Sequence, residues 1–193
     1  MDAMMFAERV PVSDRVNFAV DAEHAADEAA REALLDRAMG PGRIRKSSEK
    51  LRRGRLPAEG LALVARDAED ALVGTVRLWN VRVGEGGQAA LLLGPLAVDP
   101  GVKSAGIGSE MMRTAILKAR LLGHRAILLV GDAAYYQRFG FSADKTADLA
   151  MPGPYVRERF LALELVDGAL DGTKGVLRAA GRKAKPAPMA RAA

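Results

Sequence analysis

The feature that most constrains the fold is the stretch Leu91–Met112, LLLGPLAVDPGVKSAGIGSEMM. An apolar run leads through Asp99-Pro100 and a loop of small residues into a segment with helical patterning. A strand that feeds a glycine-containing loop at the start of a helix leaves several backbone N–H groups unpaired in one place. These groups and the helix dipole favour an anion such as phosphate. The stretch therefore predicts a phosphate-bearing cofactor bound at residues 103–109.

The segments around this stretch predict a mixed sheet. Runs of β-branched and apolar residues predict antiparallel strands at 61–66, 72–83 and 89–98. Gly94-Pro95 interrupts the third strand, and because proline cannot donate to a ladder, that strand must splay, bulge or lie at an edge there. Further periodicity predicts strands at 15–20, 126–130 and 159–166, and helices at 22–39, 45–53, 109–122 and 133–139. The order predicts an α/β (mixed α+β) fold, mostly antiparallel, with helices on both faces.

Composition excludes several classes of protein. The 193 residues suit one domain, and the absence of cysteine excludes disulfides. His24 and His124 lie far apart in the sequence, so we expect no zinc or other metal site. The chain has no run of eighteen apolar residues, and residues 1–9 contain no signal-peptide core. The expectation is a cytoplasmic protein with no membrane partner.

The net charge of +5 is concentrated near the C-terminus. Residues 172–193 hold six basic residues and no acid, which leaves 23 basic against 24 acidic residues in 1–171. We therefore predict a single domain over 1–171 and a flexible basic tail over 172–193. Nucleic-acid binding through this tail is a rival function, but the tail has no interleaved aromatic residues.

Three kinds of phosphate-binding loop compete for the glycine segment. A P-loop requires Lys-[Ser/Thr] where Ile107-Gly108 stands, and a dinucleotide fingerprint requires a third glycine where Met111 stands. The third pattern fits, because Leu96–Gly108, LAVDPGVKSAGIG, resembles the acetyl-CoA signature of the GNAT superfamily of N-acetyltransferases. The resemblance continues to Tyr135–Phe141, YYQRFGF, which is similar to the Tyr-x-x-x-Gly-Phe ending of that family.

The resemblance, which is strongest to a subgroup of predicted bacterial N-acetyltransferases, implies a fold, a co-substrate and a set of residues. The implied fold is a GNAT-like sheet that splays at the cofactor site, and the implied activity is direct transfer of an acetyl group from acetyl-CoA to a primary amine. Tyr136 would be the catalytic donor to the departing sulfur, and the N–H group of Val98 would meet the carbonyl oxygen. By resemblance, acetyl-CoA would contact Leu96, Ala97, Val98, Lys103, Ser104, Ala105, Gly106, Ile107, Gly108, Ser109 and Tyr136.

Several points stay open at this level. Ser104-Ala105 replaces the commoner Gly-Lys/Arg pair, and the strand at 89–98 has no acid, so Glu85 or a water chain would have to serve as general base. The missing base allows an alternative function, a non-catalytic coenzyme A-binding regulatory domain. The basic segment 45–55 is either a solvated face or a wall of the acceptor site, and Tyr135 either packs or contacts the cofactor. The amine is a small molecule or a protein amine, and a homodimer is an expectation from the superfamily alone.

Overall fold

The computed structural model of the chain describes residues 17–102 and 105–184, and its centre is a seven-stranded sheet in the order β1-β2-β3-β4-β5-β7 with β9 beside β3. A second, two-stranded sheet joins β6 and β8. The strands are Phe18–Ala22 (β1), Ala62–Asp67 (β2), Leu72–Val83 (β3), Gln88–Val98 (β4), Ala126–Val130 (β5), Leu149–Ala150 (β6), Phe160–Glu164 (β7), Gly175–Val176 (β8) and Arg178–Ala179 (β9). The α-helices are Glu28–Met39 (α1), Glu49–Arg52 (α2), Ile107–Leu121 (α3) and Ala133–Tyr136 (α4).

The sheet is mixed and mostly antiparallel, as the sequence predicts. Within the central sheet, β4 and β5 run parallel and the other paired strands run antiparallel. The predicted bounds of β3 and β5 match the structure. The helix predicted at 45–53 is shorter, because only α2 is α-helical there, and a separate 3₁₀ turn at Pro41–Arg45 precedes it. The long helix α1 ends at Met39, before Gly40, as expected from the Gly-Pro-Gly segment.

Helices cover both faces of the sheet. On one face α3 buries Ile107 and Met111 against β3, where Gly74 provides the room: a Cβ at residue 74 would lie 2.7 Å from the sulfur of Met111. On the other face α1 packs Leu34 and Leu35 against Val64 and Ala97. The prediction of helices on both faces is confirmed.

The Gly94-Pro95 interruption is a bulge, one of the predicted outcomes. Val76 pairs with Leu96 and Leu78 pairs with Leu93, so β4 accommodates an extra residue at this point. The indole Nε1 of Trp79 donates to the Gly94 carbonyl over 2.6 Å, which satisfies a carbonyl that the bulge removes from the ladder.

The bulge coincides with the place where two strands part. The parallel strands β4 and β5 are paired only at Leu91 with Ile127 and at Leu92 with Leu128. Beyond these pairs, β4 continues for six residues to Val98 and remains hydrogen-bonded to β3 on its other side. A gap therefore opens between the C-terminal ends of β4 and β5, which is the predicted splay.

The C-terminal segment differs from the expected flexible tail over 172–193. Within residues 172–184, β8 pairs with β6, β9 pairs with β3, and the Leu177 side chain is buried. The tail prediction is therefore wrong for residues 172–184, because two short strands and one apolar anchor do not produce the periodicity that marks a strand in sequence. Residues 185–193 lie outside the described residues.

Across residues 17–102 and 105–184, no helix has both the length and the apolar character required to span a bilayer.

Candidate active site

A cavity of about 340 Å³ occupies the gap between β4 and β5. Its floor is formed by the bulge and the adjoining strand ends, including Leu93–Leu96, Leu129 and Val130. Its outer wall comes from α1 and from the basic segment that contains α2. The Tyr136 ring closes one side. The residues predicted as a possible acceptor wall therefore do line the cavity, and the contributing side chains are Lys46, Ser48, Glu49, Arg52 and Arg53.

Tyr136 is held at this cavity by the turn that follows β5. Asp132 caps α4, and its side chain accepts a hydrogen bond from the Ala134 N–H over 3.1 Å. The Tyr136 ring stacks edge-on against Tyr135 and Phe141. Burial raises the pKa of the Tyr136 hydroxyl to about 12, with a smaller opposing effect from Arg159. The hydroxyl therefore keeps its proton throughout the neutral range and can act as a donor.

The first turn of α3 contains several of the predicted cofactor residues. Gly106 precedes the helix in the left-handed region, with φ 81°, and its carbonyl accepts from the N–H groups of Ser109 and Glu110. The N–H groups of Ile107 and Gly108 come before these intrahelical bonds and have no acceptor within residues 17–102 and 105–184, while the Ile107 side chain is buried in the core. Ala105 is partly buried against the core, and Lys103 and Ser104 lie outside the described residues.

The free edge of β4 presents alternate backbone groups to the gap. The Asp99 N–H donates to the Val73 carbonyl over 2.8 Å, and alternation along the strand directs the Ala97 amide to β3 as well. The amides of Leu96 and Val98 consequently face the gap. Of the three predicted contacts on β4, Leu96 and Val98 offer backbone groups, whereas the Ala97 side chain packs against α1.

Tyr135 is adjacent to the helix start rather than to the cavity floor. A Cβ on Gly108 would lie 3.0 Å from the Tyr135 hydroxyl and 3.5 Å from the Val98 side chain. The Arg138 guanidinium stacks over the Tyr135 ring at 4.5 Å. The absence of a side chain at Gly108 thus brings a phenol hydroxyl to the same helix turn as the N–H groups of Ile107 and Gly108, and Tyr135 both packs and lies beside the predicted anion site.

A buried ionic cluster supports the cavity wall, and the sequence did not predict it. The Glu23 carboxylate, 5% exposed, accepts from Arg77 Nε over 2.7 Å and also pairs with Arg31. The Arg77 guanidinium lies 5.8 Å from the centre of the Trp79 ring. The three charges come from β3, α1 and the turn after β1, so no local motif links them.

The carboxylates near the cavity are paired. Glu32 accepts hydrogen bonds from Arg31 and Arg43, which outweigh the effect of burial and lower its pKa. Glu49 pairs with Arg52 over 3.0 Å. Glu85, which we considered as a base, lies in the β3–β4 turn at the far end of β4 and faces Lys174 at 4.0 Å. Glu85 does not line this cavity.

Comparison with known proteins gives consistent results. Residues 58–143 match the family model described as an acetyltransferase (GNAT) domain. The chain is 31% identical over 117 residues to the uncharacterized N-acetyltransferase YhbS of Escherichia coli, which covers 61% of this chain and 70% of the relative. It also resembles the crystal structure of the E. coli GNAT family N-acetyltransferase YhbS in complex with CoA, with a TM-score of 0.73, 28% identity and coverage of 86% of this chain and 91% of that one.

A second solved structure supports the fold alone. A GNAT family acetyltransferase from Brucella melitensis in complex with acetyl-CoA has a TM-score of 0.53 and 24% identity, and covers 80% of this chain and 99% of that one. The parted strands and the cavity between them, together with the family match, are those of an acyltransferase. The chain belongs to the GNAT superfamily of N-acetyltransferases.

Proposed function

We propose that this protein transfers an acetyl group from acetyl-CoA directly to a primary amine. The observation that carries the proposal is the gap between β4 and β5, which has the Tyr136 ring at one side and the start of α3 beyond the end of β4. The relative YhbS, which has 28% identity to this chain over most of its length, was crystallised with CoA. Acetyl-CoA would supply an activated thioester.

The residues present fit this co-substrate. The amides of Leu96 and Val98 face the gap and can pair with an amide-bearing arm as an added strand would. The N–H groups of Ile107 and Gly108, reinforced by the dipole of the fifteen-residue helix α3, suit a pyrophosphate. Ser109, Ala105 and Gly106 flank these groups, and we extend the same proposal to Lys103 and Ser104 on sequence grounds.

Each group of the chain has a defined role in the transfer. Acyl transfer to an amine forms an amide C–N bond and breaks the thioester C–S bond, and the proton that the amine loses is matched by one that the sulfur gains. The Val98 N–H donates to the carbonyl oxygen as negative charge develops on it. Tyr136 donates a hydrogen bond to the sulfur. Because its pKa of about 12 is roughly 3.5 units higher than the pKa of a thiol, Tyr136 stabilises the leaving thiolate rather than transferring its proton to it.

The positive charge of the cavity lining favours a neutral amine acceptor and so reduces the need for a free carboxylate base. Six cationic side chains line it, against four carboxylates that pair with them, Glu23, Glu32, Asp36 and Glu49; the cations are Arg31, Arg43, Lys46, Arg52, Arg53 and Arg77. Like charges disfavour the protonated form of a nearby amine and therefore lower its pKa. The amine acceptor enters the site more readily as the neutral nucleophile.

The discriminating experiment measures steady-state release of free thiol from acetyl-CoA in the presence of a panel of amines, alongside binding of CoA by calorimetry. Amine-dependent thiol release that falls in a Tyr136→Phe variant supports an N-acetyltransferase. Tight CoA binding without turnover on any amine or peptide would instead favour the alternative, a non-catalytic CoA-binding regulatory domain.

A further inference from the structure

Arg52 occupies an unusual position in the cavity wall. It is the last residue of α2, its side chain is 9% exposed, and it lines the cavity beside the bulge. A Cβ built on Gly94 would lie 3.8 Å from Arg52 Nη1, so the guanidinium lies against the bulge that opens the sheet. A positive charge is thus buried beside the gap.

The hydrogen bonds of Arg52 are incomplete. Its Nη2 donates to Glu49 over 3.0 Å, whereas Nε is buried without an acceptor. Nη1 likewise has no hydrogen-bond acceptor within residues 17–102 and 105–184. A guanidinium has five N–H donors, and leaving such donors unpaired in a buried position is unfavourable. The Arg52 guanidinium can therefore donate to an additional hydrogen-bond acceptor.

Three other arginines of the wall are more fully paired. Arg43 bonds to both Glu32 and Asp36, and Arg77 forms a two-point contact with Glu23. Arg31 contacts Glu23 and Glu32. Among the arginines of this cavity, Arg52 is the one with a fully buried nitrogen, Nε, that lacks an acceptor within the described part of the chain.

We propose that Arg52 binds a carboxylate on the acyl acceptor, which makes the acceptor a small molecule with both an amine and a carboxylate. This inference rests on the proposed function, because it assigns the substrate class of the same site. The cavity connects the bulge near Arg52 with Tyr136, so one end of a small aminocarboxylate lies at Arg52 while its amine faces the transfer site.

The chemistry favours a carboxylate over a phosphate. An anion with three terminal oxygens requires several donors, but Arg31, Arg43 and Arg77 are already engaged with carboxylates, and Lys46 and Arg53 are exposed to solvent at the outer wall. A single guanidinium with its remaining donors matches a carboxylate. The volume of about 340 Å³, shared with the thioester end of the co-substrate, suits a small amino acid rather than a folded protein surface.

The kinetic test uses matched acceptors and the full-length protein. Glycine, β-alanine, 4-aminobutyrate, alanine and methionine are each compared with the corresponding carboxamide and aminophosphonate by thiol release. We expect KM for the preferred carboxylate to be at least tenfold lower than for its amide. We expect Arg52→Gln to raise that KM at least tenfold without changing KM for the amide or the affinity for CoA, and Arg52→Lys to restore part of the loss.

The matched control is Arg53→Gln. Arg53 is the next residue, it also lines the cavity and it is exposed, with Nη2 on the Ile44 carbonyl at 3.2 Å. Equal effects of the two substitutions would show that only the general positive potential matters and would overturn the assignment. Amides or phosphonates used as well as or better than carboxylates would also overturn it. Thermal melts identify a variant that fails to fold, in which case Arg52→Lys decides the comparison.

A binding readout separates this inference from the proposed function. Trp79 is the single tryptophan of the chain and lines the same cavity, so its fluorescence reports on occupancy. We expect the same amino acids to change Trp79 emission saturably in the wild type and to lose this effect in Arg52→Gln. This result without any turnover would reject the transferase and retain the carboxylate site. Turnover without any carboxylate preference or change in Trp79 emission would reject the carboxylate site and retain the transferase.

Discussion

The ring of Tyr136 occupies the space into which a side chain at Gly131 would project. Gly131 follows directly after β5, and its N–H donates to the Arg159 carbonyl over 2.8 Å, so the backbone at this point is held in place. The φ of Gly131 is not in the left-handed region, which means that the requirement for glycine is steric. The end of β5 thereby determines where the tyrosine lies in the cavity.

Replacement of Gly131 by alanine should therefore displace Tyr136. The added methyl group overlaps the Tyr136 ring, and a shift of about 1 Å in a reacting group can lower the rate by up to about 100-fold. We expect Gly131→Ala to lower kcat at least tenfold, measured by thiol release, with little change in CoA affinity.

Gly42→Ala is the matched control for this effect, since a Cβ there meets no atom within 4 Å. The double variant Gly131→Ala, Tyr136→Phe should be scarcely slower than Tyr136→Phe alone, because both changes remove the same interaction. Additive losses would mean that Gly131 acts by some route other than the tyrosine.

Tyr136→Phe tests the donor itself. Loss of the hydroxyl removes the hydrogen bond to the leaving sulfur, and we expect kcat to fall about 100-fold, within the usual range for such groups. The affinity for CoA, measured by calorimetry, should change less than threefold because the ring remains. An unchanged kcat, with single-turnover experiments showing that chemistry limits the rate, would remove Tyr136 from the mechanism.

The same hydroxyl affects stability at alkaline pH. The pKa of the Tyr136 hydroxyl is about 12 in the folded protein and about 10 in the unfolded chain. Its contribution to the free energy of unfolding is therefore fully present below pH 10 and is lost as the pH rises to 12, because the unfolded chain releases the proton first. The loss should amount to about 2–3 kcal/mol. Urea unfolding at pH 9 and pH 11.5 should show a smaller decline for Tyr136→Phe than for the wild type, and parallel declines would contradict the raised pKa.

The parts of the site that the sequence predicts are those encoded within one continuous segment. The glycine loop, the bulge at Gly94-Pro95 and the tyrosine after β5 each carry their signal in a few consecutive residues. The Glu23–Arg31–Arg77 cluster could not be found in this way, because its three charges lie on separate elements that only the folded sheet brings together. Arg52 appeared in the sequence as one charge of a basic segment, and only its burial and its incomplete hydrogen bonding in the folded protein distinguish it from Arg53.

Gly74 is predicted to be essential for packing rather than for chemistry. A Cβ there would lie 2.7 Å from Met111 Sδ and 3.1 Å from both Ala65 and Ile107, in the fully packed interface between β3 and α3. Overpacking of this kind costs about 1–3 kcal/mol. We expect Gly74→Ala to lower the free energy of unfolding by that amount in urea titrations, while Gly42→Ala leaves it within about 0.5 kcal/mol of the wild type. Equal stability of Gly74→Ala and the wild type would show that α3 can move away from the sheet.

The segment 172–184 should contribute strongly to stability, in contrast to a flexible tail. Leu177 is 1% exposed and belongs to the same apolar cluster as Trp79, Val81 and Val83, so truncating it to alanine should cost about 2–5 kcal/mol. The neighbouring Val176, 47% exposed, is the matched control, and Val176→Ala should change the free energy of unfolding by about 0.5 kcal/mol or less.

Truncation tests the same segment as a whole. A chain that ends at Asp171 loses the Arg178–Gly84 and Arg55–Gly181 hydrogen bonds, whereas one that ends at Ala184 retains them. We expect the shorter chain to melt at a clearly lower temperature than the longer one, because the edge of β3 at Val81 and Arg82 loses its partner strand β9. Identical melting of the two truncations would mean that β8 and β9 do not stabilise the sheet.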